Sequence, residues 1–141
     1  MRELNSAPRF AVKYRCYWED TDAGGVVYYA NYLKFMERAR TEWLRALGFE
    51  QNALRRDHNV VFVVRNLEVE YLQPAVFDDA LDITVAVTGV RGSVLQIAQS
   101  VRCGERDLAA GRVGVACVNT RTFKPVRIPK FLLEKLAMRQ A

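Results

Sequence analysis

A short acidic and glycine-rich turn holds the residues of this chain that are best suited to catalysis. Asp20 and Asp22 precede Gly24 and Gly25, and a helical pattern follows within a few residues. Paired glycines allow a sharp bend and the close approach of a ligand, because no Cβ stands in the way. The first turn of a helix offers unpaired N–H groups and a partial positive charge, which would stabilise negative charge developing on a carbonyl oxygen. With a carboxylate nearby to activate water or to attack the carbonyl carbon, these residues predict an acyl-transfer site.

The two aspartates of this turn are expected to differ in role. Asp22 is nearer to the glycines and to the helix start, where a bound carbonyl group would lie. Asp20 is better placed to accept hydrogen bonds from backbone N–H groups and so to hold the turn. We therefore predict that Asp22 is the catalytic carboxylate. Aspartate and glycine are also ordinary residues of turns and helix N-caps, so a turn without chemistry is the alternative.

A helix of about six turns is predicted to follow the turn, and it is the only long helical pattern in the chain. At about 100° per residue, one face of this helix is apolar. That face comprises Tyr29, Tyr32, Leu33, Met36, Ala39, Trp43, Leu44 and Leu47. Gly48 follows the last apolar position, where glycine commonly ends a helix. Arg40 lies within the apolar face, so it must find a partner there or extend to solvent.

Five segments have the pattern of strands, and they surround this helix in the sequence. The first is residues 10–18, which alternate between apolar and polar side chains up to Trp18 and lead into the acidic turn. The others are residues 60–71, 80–90, 93–103 and 108–119, of which the last three are joined by turns containing glycine. Residues 50–58 are predicted to form a polar loop, with a short helical turn within it as the alternative, and residues 129–138 a short terminal helix. The order predicts one α+β domain over residues 1–141, with an antiparallel sheet of about five strands wrapped around one long helix.

Composition and charge restrict the class of protein. The 141 residues are 50% hydrophobic and 26% charged, which is an ordinary balance for a globular domain. No apolar run has the length of a membrane span or the character of a signal peptide, so we expect a cytoplasmic protein. The three cysteines and the single histidine, His58, lack the spacing of a metal site, and His58 is expected to be exposed. The net charge of +5 comes from dispersed Lys and Arg residues, which favours solubility or a phosphorylated carrier over nucleic acid.

The last predicted strand, residues 108–119, indicates assembly into an oligomer. Val113, Val115 and Cys117 would lie on one side of it, and Ala116 and Val118 on the other. Apolar residues on both sides are typical of a strand that is buried on both sides. One helix covers only part of such a sheet, so we expect a homo-oligomer.

Two stretches of this sequence resemble a known family. DTDAGGVVYYANYLKFMERARTEWLRALG and VVRNLEVEYLQPAVFDD resemble the signature of the hotdog-fold acyl-CoA thioesterases. They are most like the branch associated with the Tol-Pal envelope system, and they are similar to the 4-hydroxybenzoyl-CoA thioesterases. The resemblance implies hydrolysis of acyl-CoA or acyl-carrier-protein thioesters without a cofactor. It also implies dimers or tetramers with active sites at the subunit interface.

The resemblance further assigns roles to individual residues. Asp22 matches the catalytic carboxylate, and the backbone N–H of Tyr29 matches the amide that polarises the thioester carbonyl. Tyr29 stands where the Tol-Pal branch usually has a histidine and the hydroxybenzoyl branch a tyrosine. The resemblance and the glycine-rich turn together predict substrate contacts at Gly25, Glu37, Val61, Phe62, Val63, Arg91, Ser93 and Lys124.

Within that set, Arg91 and Ser93 match the phosphate-contacting strand end of the family, and Lys124 matches a further basic position. Glu37 and the 61–63 segment match the surroundings of the acyl pocket. A solvated salt bridge of Glu37 with Arg38 or Arg40 is the alternative for that residue. The alternative for the whole chain is a non-catalytic protein that binds an acyl carrier or a partner in lipid synthesis or the envelope. A dehydratase of the same fold would need an active-site histidine, for which His58 is badly placed.

Overall fold

An antiparallel sheet of six strands forms the frame of the protein. The computed structural model describes residues 2–3 and 10–140, with side chains from residue 10 to residue 137. The strands are β1 Arg2–Glu3, β2 Phe10–Arg15, β3 Val60–Tyr71, β4 Ala80–Arg91, β5 Val94–Cys103 and β6 Arg106–Asn119. The helices are α1 Asn31–Ala46, α2 Gln51–His58 and α3 Lys130–Gln140.

The strand order is β1-β4-β5-β6-β3, and β2 also pairs with β4. Tight turns join β4 to β5 and β5 to β6, with Gly92 and Gly104 at positive φ angles of 60° and 63°. Of the described strands, β3 pairs with β6 alone, so its outer edge is unpaired. The predicted architecture of a sheet wrapped around one long helix is thus confirmed.

Helix α1 packs on one face of the sheet, against β2, β4 and β5. Its buried residues are Tyr32, Phe35, Met36, Ala39, Trp43 and Leu44. The helix has 16 residues, about four and a half turns, so the predicted length of six turns is wrong. Tyr29 precedes the helix because residues 28–31 form a turn in which the Asn31 N–H donates to the Tyr28 carbonyl at 2.8 Å. Phe35, absent from the predicted apolar face, is fully buried against Tyr14.

Two other segments differ from the expected pattern. Strand β2 ends at Arg15, because residues 18–20 form a short 3₁₀ helix. Trp18 is therefore 70% exposed and stacks on Phe77 with 3.9 Å between ring centroids, whereas the alternation placed it on the buried side. The predicted loop at residues 50–58 is mostly helix α2, which buries Leu54 and ends at Asn59 in a left-handed conformation. Within the described residues, no helix combines the length and apolar character needed to cross a membrane.

Candidate active site

The acidic turn folds into a small hairpin in front of α1. An isolated bridge pairs Thr21 with Val27, and the Asp22 N–H donates to the Val26 carbonyl at 2.9 Å. The Gly25 N–H donates back to the Asp22 carbonyl at 3.0 Å. Gly25 has a φ of +81°, which a residue with a Cβ rarely adopts. The turn conformation therefore depends on glycine at this position.

The Asp22 carboxylate is exposed, and only one of its oxygens is used by the protein. Oδ1 accepts a hydrogen bond from the Gly24 N–H at 2.8 Å. Among the side-chain contacts of residues 10–137, Oδ2 has no partner. A Cβ at Gly24 would lie 3.2 Å from Oδ1, so glycine leaves room for the carboxylate. The arrangement leaves one carboxylate oxygen free to accept a proton or to attack a carbonyl carbon.

Asp20 ties the hairpin to the neighbouring segments. Its Oδ2 accepts a hydrogen bond from the Tyr17 N–H at 2.8 Å. Its backbone carbonyl accepts two more, from the Tyr28 N–H at 2.9 Å and from Asn31 Nδ2 at 2.8 Å. Asp20 thus has the turn-holding contacts that its sequence position suggested.

The backbone just before α1 presents two unused donors. Within residues 10–140, neither the Tyr29 N–H nor the Ala30 N–H has an acceptor. Both lie at the N-terminal end of α1, where the helix dipole adds partial positive charge. The Tyr29 side chain itself is 61% exposed. Such a pair of amides can bind an oxyanion.

Tyr71, at the end of β3, fixes the peptide that carries the Ala30 N–H. Its hydroxyl donates to the Tyr29 carbonyl at 2.9 Å, although 42 residues separate the two in sequence. The sequence pattern treated Tyr71 as a strand residue, and no local signal indicates this contact. Interaction with the Tyr29 side chain raises the pKa of Tyr28, and the Asp22 carboxylate adds to this effect. The hydrogen bond from the Tyr28 N–H to the Asp20 carbonyl joins the acidic turn to the segment that carries the two amides.

A cavity of about 130 Å³ lies further along α1, between the helix and the sheet. It brings together Glu37 and Phe62, two of the predicted substrate contacts. The other lining residues were not among the predicted substrate contacts; they are Arg40, Thr41, Trp43, Leu44, Gln51, Val64, Leu95, Ile97 and Val115. They come from the second half of α1, from α2 and from three strands, so no single sequence motif marks this cavity.

Val61 and Val63 lie on the opposite face of the sheet from this cavity. They pack against Val94, Ala116 and Val118 in a second, smaller apolar cluster. Successive side chains of a strand point to opposite faces, so Phe62 cannot share a face with its two neighbours. The expectation that Val61, Phe62 and Val63 line one pocket is therefore corrected: within one chain, only Phe62 faces the cavity.

Arg91, Ser93 and Lys124 lie at the end of the sheet that is far from Asp22. The Ser93 carbonyl accepts from the Cys117 N–H at 2.8 Å, and the Lys124 carbonyl accepts from the Asn119 N–H at 2.9 Å. Asn119 pairs with Val60, the first residue of β3, whereas Tyr29 contacts Tyr71, the last. Strand β3 has 12 residues, so the two ends are separated by about 35 Å. One chain therefore does not bring these three residues to the acidic turn.

The remaining candidate side chains have structural surroundings. His58 is exposed and its ring lies 4.7 Å from that of Phe131. Cys16 and Cys117 are buried, and burial raises the pKa of their thiols to about 12 and about 11. Thiols that stay protonated at neutral pH are poor nucleophiles. Among the candidate side chains of the described residues, Asp22 is therefore the strongest candidate for covalent or acid–base catalysis.

Comparison with known proteins assigns the family. A model of the thioesterase-like superfamily matches residues 16–136. The acyl-CoA thioesterase YbgC of Haemophilus influenzae is 44% identical over 121 residues, covering 86% of this chain and 89% of that protein. The acyl-CoA thioester hydrolase YbgC of Escherichia coli is 47% identical over 120 residues, covering 84% and 89%.

Solved structures agree with this assignment. The crystal structure of a probable thioesterase from Bartonella henselae superimposes with a TM-score of 0.83 at 35% identity, covering 86% of this chain and 100% of that chain. The DHNA-CoA thioesterase of Staphylococcus aureus superimposes with a TM-score of 0.84 at 19% identity, covering 92% and 89%, which supports the fold alone. The chain therefore belongs to the thioesterase-like superfamily, and it is a thioesterase with the hotdog fold.

Proposed function

We propose that the protein hydrolyses acyl-CoA thioesters at the turn that carries Asp22. One observation supports this proposal above all: a carboxylate oxygen of Asp22 and two backbone N–H groups have no hydrogen-bond partner within residues 10–140. The relatives in Haemophilus influenzae and Escherichia coli are acyl-CoA thioesterases by name, which supports the substrate class. A thioester carbonyl is already activated, so a base and an oxyanion site are sufficient for hydrolysis.

In the proposed reaction, Asp22 Oδ2 accepts a proton from water, and the oxygen of that water attacks the thioester carbonyl carbon. The electron pair of the C=O bond moves onto oxygen, where the N–H groups of Tyr29 and Ala30 stabilise the charge. When the intermediate collapses, the C–S bond breaks and the thiolate takes the proton from Asp22. In the second route, Oδ2 attacks the carbon itself, the C–S bond breaks and the thiolate leaves, and water then hydrolyses the resulting anhydride to the free acid and the Asp22 carboxylate.

Turnover in ¹⁸O-labelled water reveals the second route when water cleaves the anhydride at the carboxyl carbon of Asp22. If Asp22 is the base, the label enters the free acid only. If Asp22 is the nucleophile and water cleaves the anhydride at its carboxyl carbon, mass spectrometry finds the label in the peptide that contains Asp22.

Variants of Tyr29 test the oxyanion site, with release of free thiol as the assay. Tyr29 is the second residue of the turn at 28–31, a position that favours proline, so Tyr29→Pro removes the N–H with little strain. We expect a loss of about 10²–10³ in kcat for that variant. Tyr29→Phe and Tyr29→Ala keep the N–H and are expected to retain most activity. A Tyr29→Phe variant that loses a hundredfold would instead assign catalysis to the hydroxyl group.

We also propose that the complete site forms between two copies of the chain. Of the described strands, only β6 pairs with β3, so the outer edge of β3 is open, and Val64, Leu67 and Tyr71 on this strand are exposed. If β3 paired antiparallel with β3 of a second copy, the first residue of one strand would lie beside the last residue of the other. Arg91, Ser93 and Lys124 of the second copy would then approach Asp22 of the first. This arrangement accounts for the wide separation of the two groups within one chain.

Complementation tests the shared site. We expect light scattering to report a dimer or tetramer rather than a 16.1 kDa species. We further expect Asp22→Ala and the double variant Arg91→Ala/Lys124→Ala each to be weak alone. Mixed after unfolding and refolding together, they should regain activity, because one site of each mixed dimer is intact. A mixture that stays at the level of its components would contradict the shared site.

The substrate branch and location are also proposals. The resemblance favours the Tol-Pal-associated branch, whereas a tyrosine at position 29 favours an aromatic acyl group as in the hydroxybenzoyl branch. A panel of aliphatic and aromatic acyl-CoAs, with the matching acyl-carrier-protein thioesters, tests substrate and carrier together through thiol release. The three free cysteines support a reducing compartment such as the cytoplasm.

A further inference from the structure

Arg40 stands in the buried stripe of α1 without a charged partner. Its Nη1 donates to Gln99 Oε1 at 2.9 Å, and Gln99 is a neutral side chain. No carboxylate of residues 10–137 lies within 4.0 Å of its guanidinium group. Burial lowers the pKa of Arg40, and the charge of Glu37 acts in the opposite direction. A half-buried guanidinium held by one neutral acceptor is costly to the fold, so its presence calls for an explanation.

The position of this guanidinium is held by Gln99. Gln99 is 3% exposed, and its Nε2 donates to the carbonyls of Met36 and Thr84 at 3.0 and 3.3 Å. With both N–H groups used in this way, Oε1 must be the atom that accepts from Arg40. A guanidinium group has five N–H donors in a rigid planar arrangement. Gln99 therefore orients Arg40 and leaves most of its donors unused.

Arg40 is one of the residues that line the cavity beside α1. None of its nitrogens is both shut off from solvent and without a partner, so the remaining N–H groups reach open space. The rest of the wall near Arg40 is mainly apolar, with Phe62, Leu95, Ile97 and Val115. The volume of about 130 Å³ is close to the roughly 150 Å³ of an apolar cavity that holds benzene. The cavity thus fits a small apolar group that carries one hydrogen-bonding atom at its end.

The charges around the cavity favour a neutral group at that end. Glu37 lies one turn before Arg40 and also lines the cavity, and its carboxylate has no hydrogen bond or ion pair within residues 10–137. A hydroxyl group can accept from Arg40 and donate to Glu37 at the same time. A carboxylate on the ligand would be repelled by Glu37 and could not donate. The pair therefore matches a hydroxyl better than it matches an anion.

We propose that Arg40 is a specificity residue, which binds a hydroxyl group at the distal end of the acyl chain and so selects hydroxylated over plain acyl groups. This inference rests on the proposed function, since it takes the cavity as the place of the acyl end. From Ala30 to Arg40, ten residues of helix rise about 15 Å. The arginine side chain leans back toward the N-terminus of the helix, which shortens this distance. A chain of medium length extending from the oxyanion site along α1 would therefore end at Arg40.

Binding of thioethers tests the inference without requiring turnover. S-hexyl-CoA and its ω-hydroxy counterpart cannot be hydrolysed, and calorimetry compares their affinities in wild type, Arg40→Met, Arg40→Lys and Arg45→Met. We expect wild type to bind the hydroxylated compound about tenfold or more tightly, as a hydrogen bond to a charged donor implies. Arg40→Met should lose the preference, and Arg40→Lys should regain part of it. Arg45 is exposed and pairs with Glu42, so Arg45→Met is the matched control and should keep the preference.

Several outcomes would overturn the inference. The first is equal affinity of wild type for S-hexyl-CoA and its ω-hydroxy counterpart. The second is an unchanged preference for the ω-hydroxy compound in a folded Arg40→Met variant. The third is tighter binding of the ω-carboxy thioether than of the ω-hydroxy one. Loss of the oligomer in Arg40→Met with no change in preference would assign Arg40 to the subunit interface instead. Thiol release from hexanoyl-CoA is measured in parallel. Absence of thiol release in wild type from both hexanoyl-CoA and its ω-hydroxy counterpart would refute the proposed function for such chains, whereas the thioether affinities judge Arg40 in either case.

Discussion

Replacing Asp22 by asparagine removes the proposed base while leaving the turn intact. Asparagine Oδ1 can still accept from the Gly24 N–H, as Asp22 Oδ1 does at 2.8 Å. Only the charge and the basicity of the free oxygen are lost. Loss of a general base typically costs 10²–10⁴ in rate. We therefore expect kcat/KM to fall about a thousandfold, or about 4 kcal/mol of barrier, with an unchanged melting temperature.

Asp20 provides the matched comparison, because its carboxylate holds the turn instead. Asp20→Ala removes the acceptor of the Tyr17 N–H at 2.8 Å, while the two bonds to the Asp20 carbonyl remain. Loss of such a capping hydrogen bond lowers the free energy of unfolding by about 1 kcal/mol. For a domain of this size, that corresponds to a fall of about 4 °C in melting temperature. Asp20→Asn keeps the acceptor and should be close to wild type in stability and in rate.

The assay combines thiol release from a short acyl-CoA with thermal melts for all variants. Near-normal turnover in Asp22→Asn would refute the assignment of the base. A folded but inactive Asp20→Asn, together with an active Asp22→Asn, would reverse the two roles. An inactive Asp22→Asn that also melts well below wild type would show that the carboxylate supports the fold rather than the reaction alone.

Three further predictions concern the surroundings of the site. Tyr71→Phe removes the 2.9 Å hydrogen bond to the Tyr29 carbonyl and should lower kcat about tenfold, with KM and stability nearly unchanged. A higher KM with unchanged kcat would contradict the role of Tyr71 in positioning the oxyanion site. Gly25→Ala should cost about 1 kcal/mol of stability, because the φ of +81° at this position strains a residue with a Cβ. Gly24→Ala should mainly reduce activity, because its Cβ would lie 3.2 Å from Asp22 Oδ1. Thermal melts and thiol-release assays of both variants test this difference. Burial raises the pKa of Cys16 from 9.0 to about 12 and that of Cys117 to about 11, so the unfolded chain ionises these thiols at lower pH than the folded protein does. The free energy of unfolding should therefore be constant below about pH 9 and fall toward pH 12 in urea titrations, and Cys16→Ala should reduce that slope.

The main elements can be predicted from the amino-acid sequence because their signals are local. Alternating apolar residues predicted β3 to β6 within two residues of their observed bounds, and glycines at positive φ mark the turns between them. The apolar pattern predicted the wrong structure at the start of α1 and at Trp18. In both places a turn of three or four residues interrupts a continuous apolar pattern, and periodicity does not register such an interruption.

Long-range packing specifies which atoms of the candidate site are free and which form hydrogen bonds within the protein. The contact of Tyr71 with Tyr29 spans 42 residues, and that of Arg40 with Gln99 spans 59. The cavity takes its walls from α1, α2 and three strands, and β3 contributes Phe62 while its two neighbours face away. Hydrogen-bond partners and cavity walls depend on how distant strands pair and how a helix crosses them. A local pattern specifies the face on which a side chain lies, but the packing of the whole sheet specifies what that face meets.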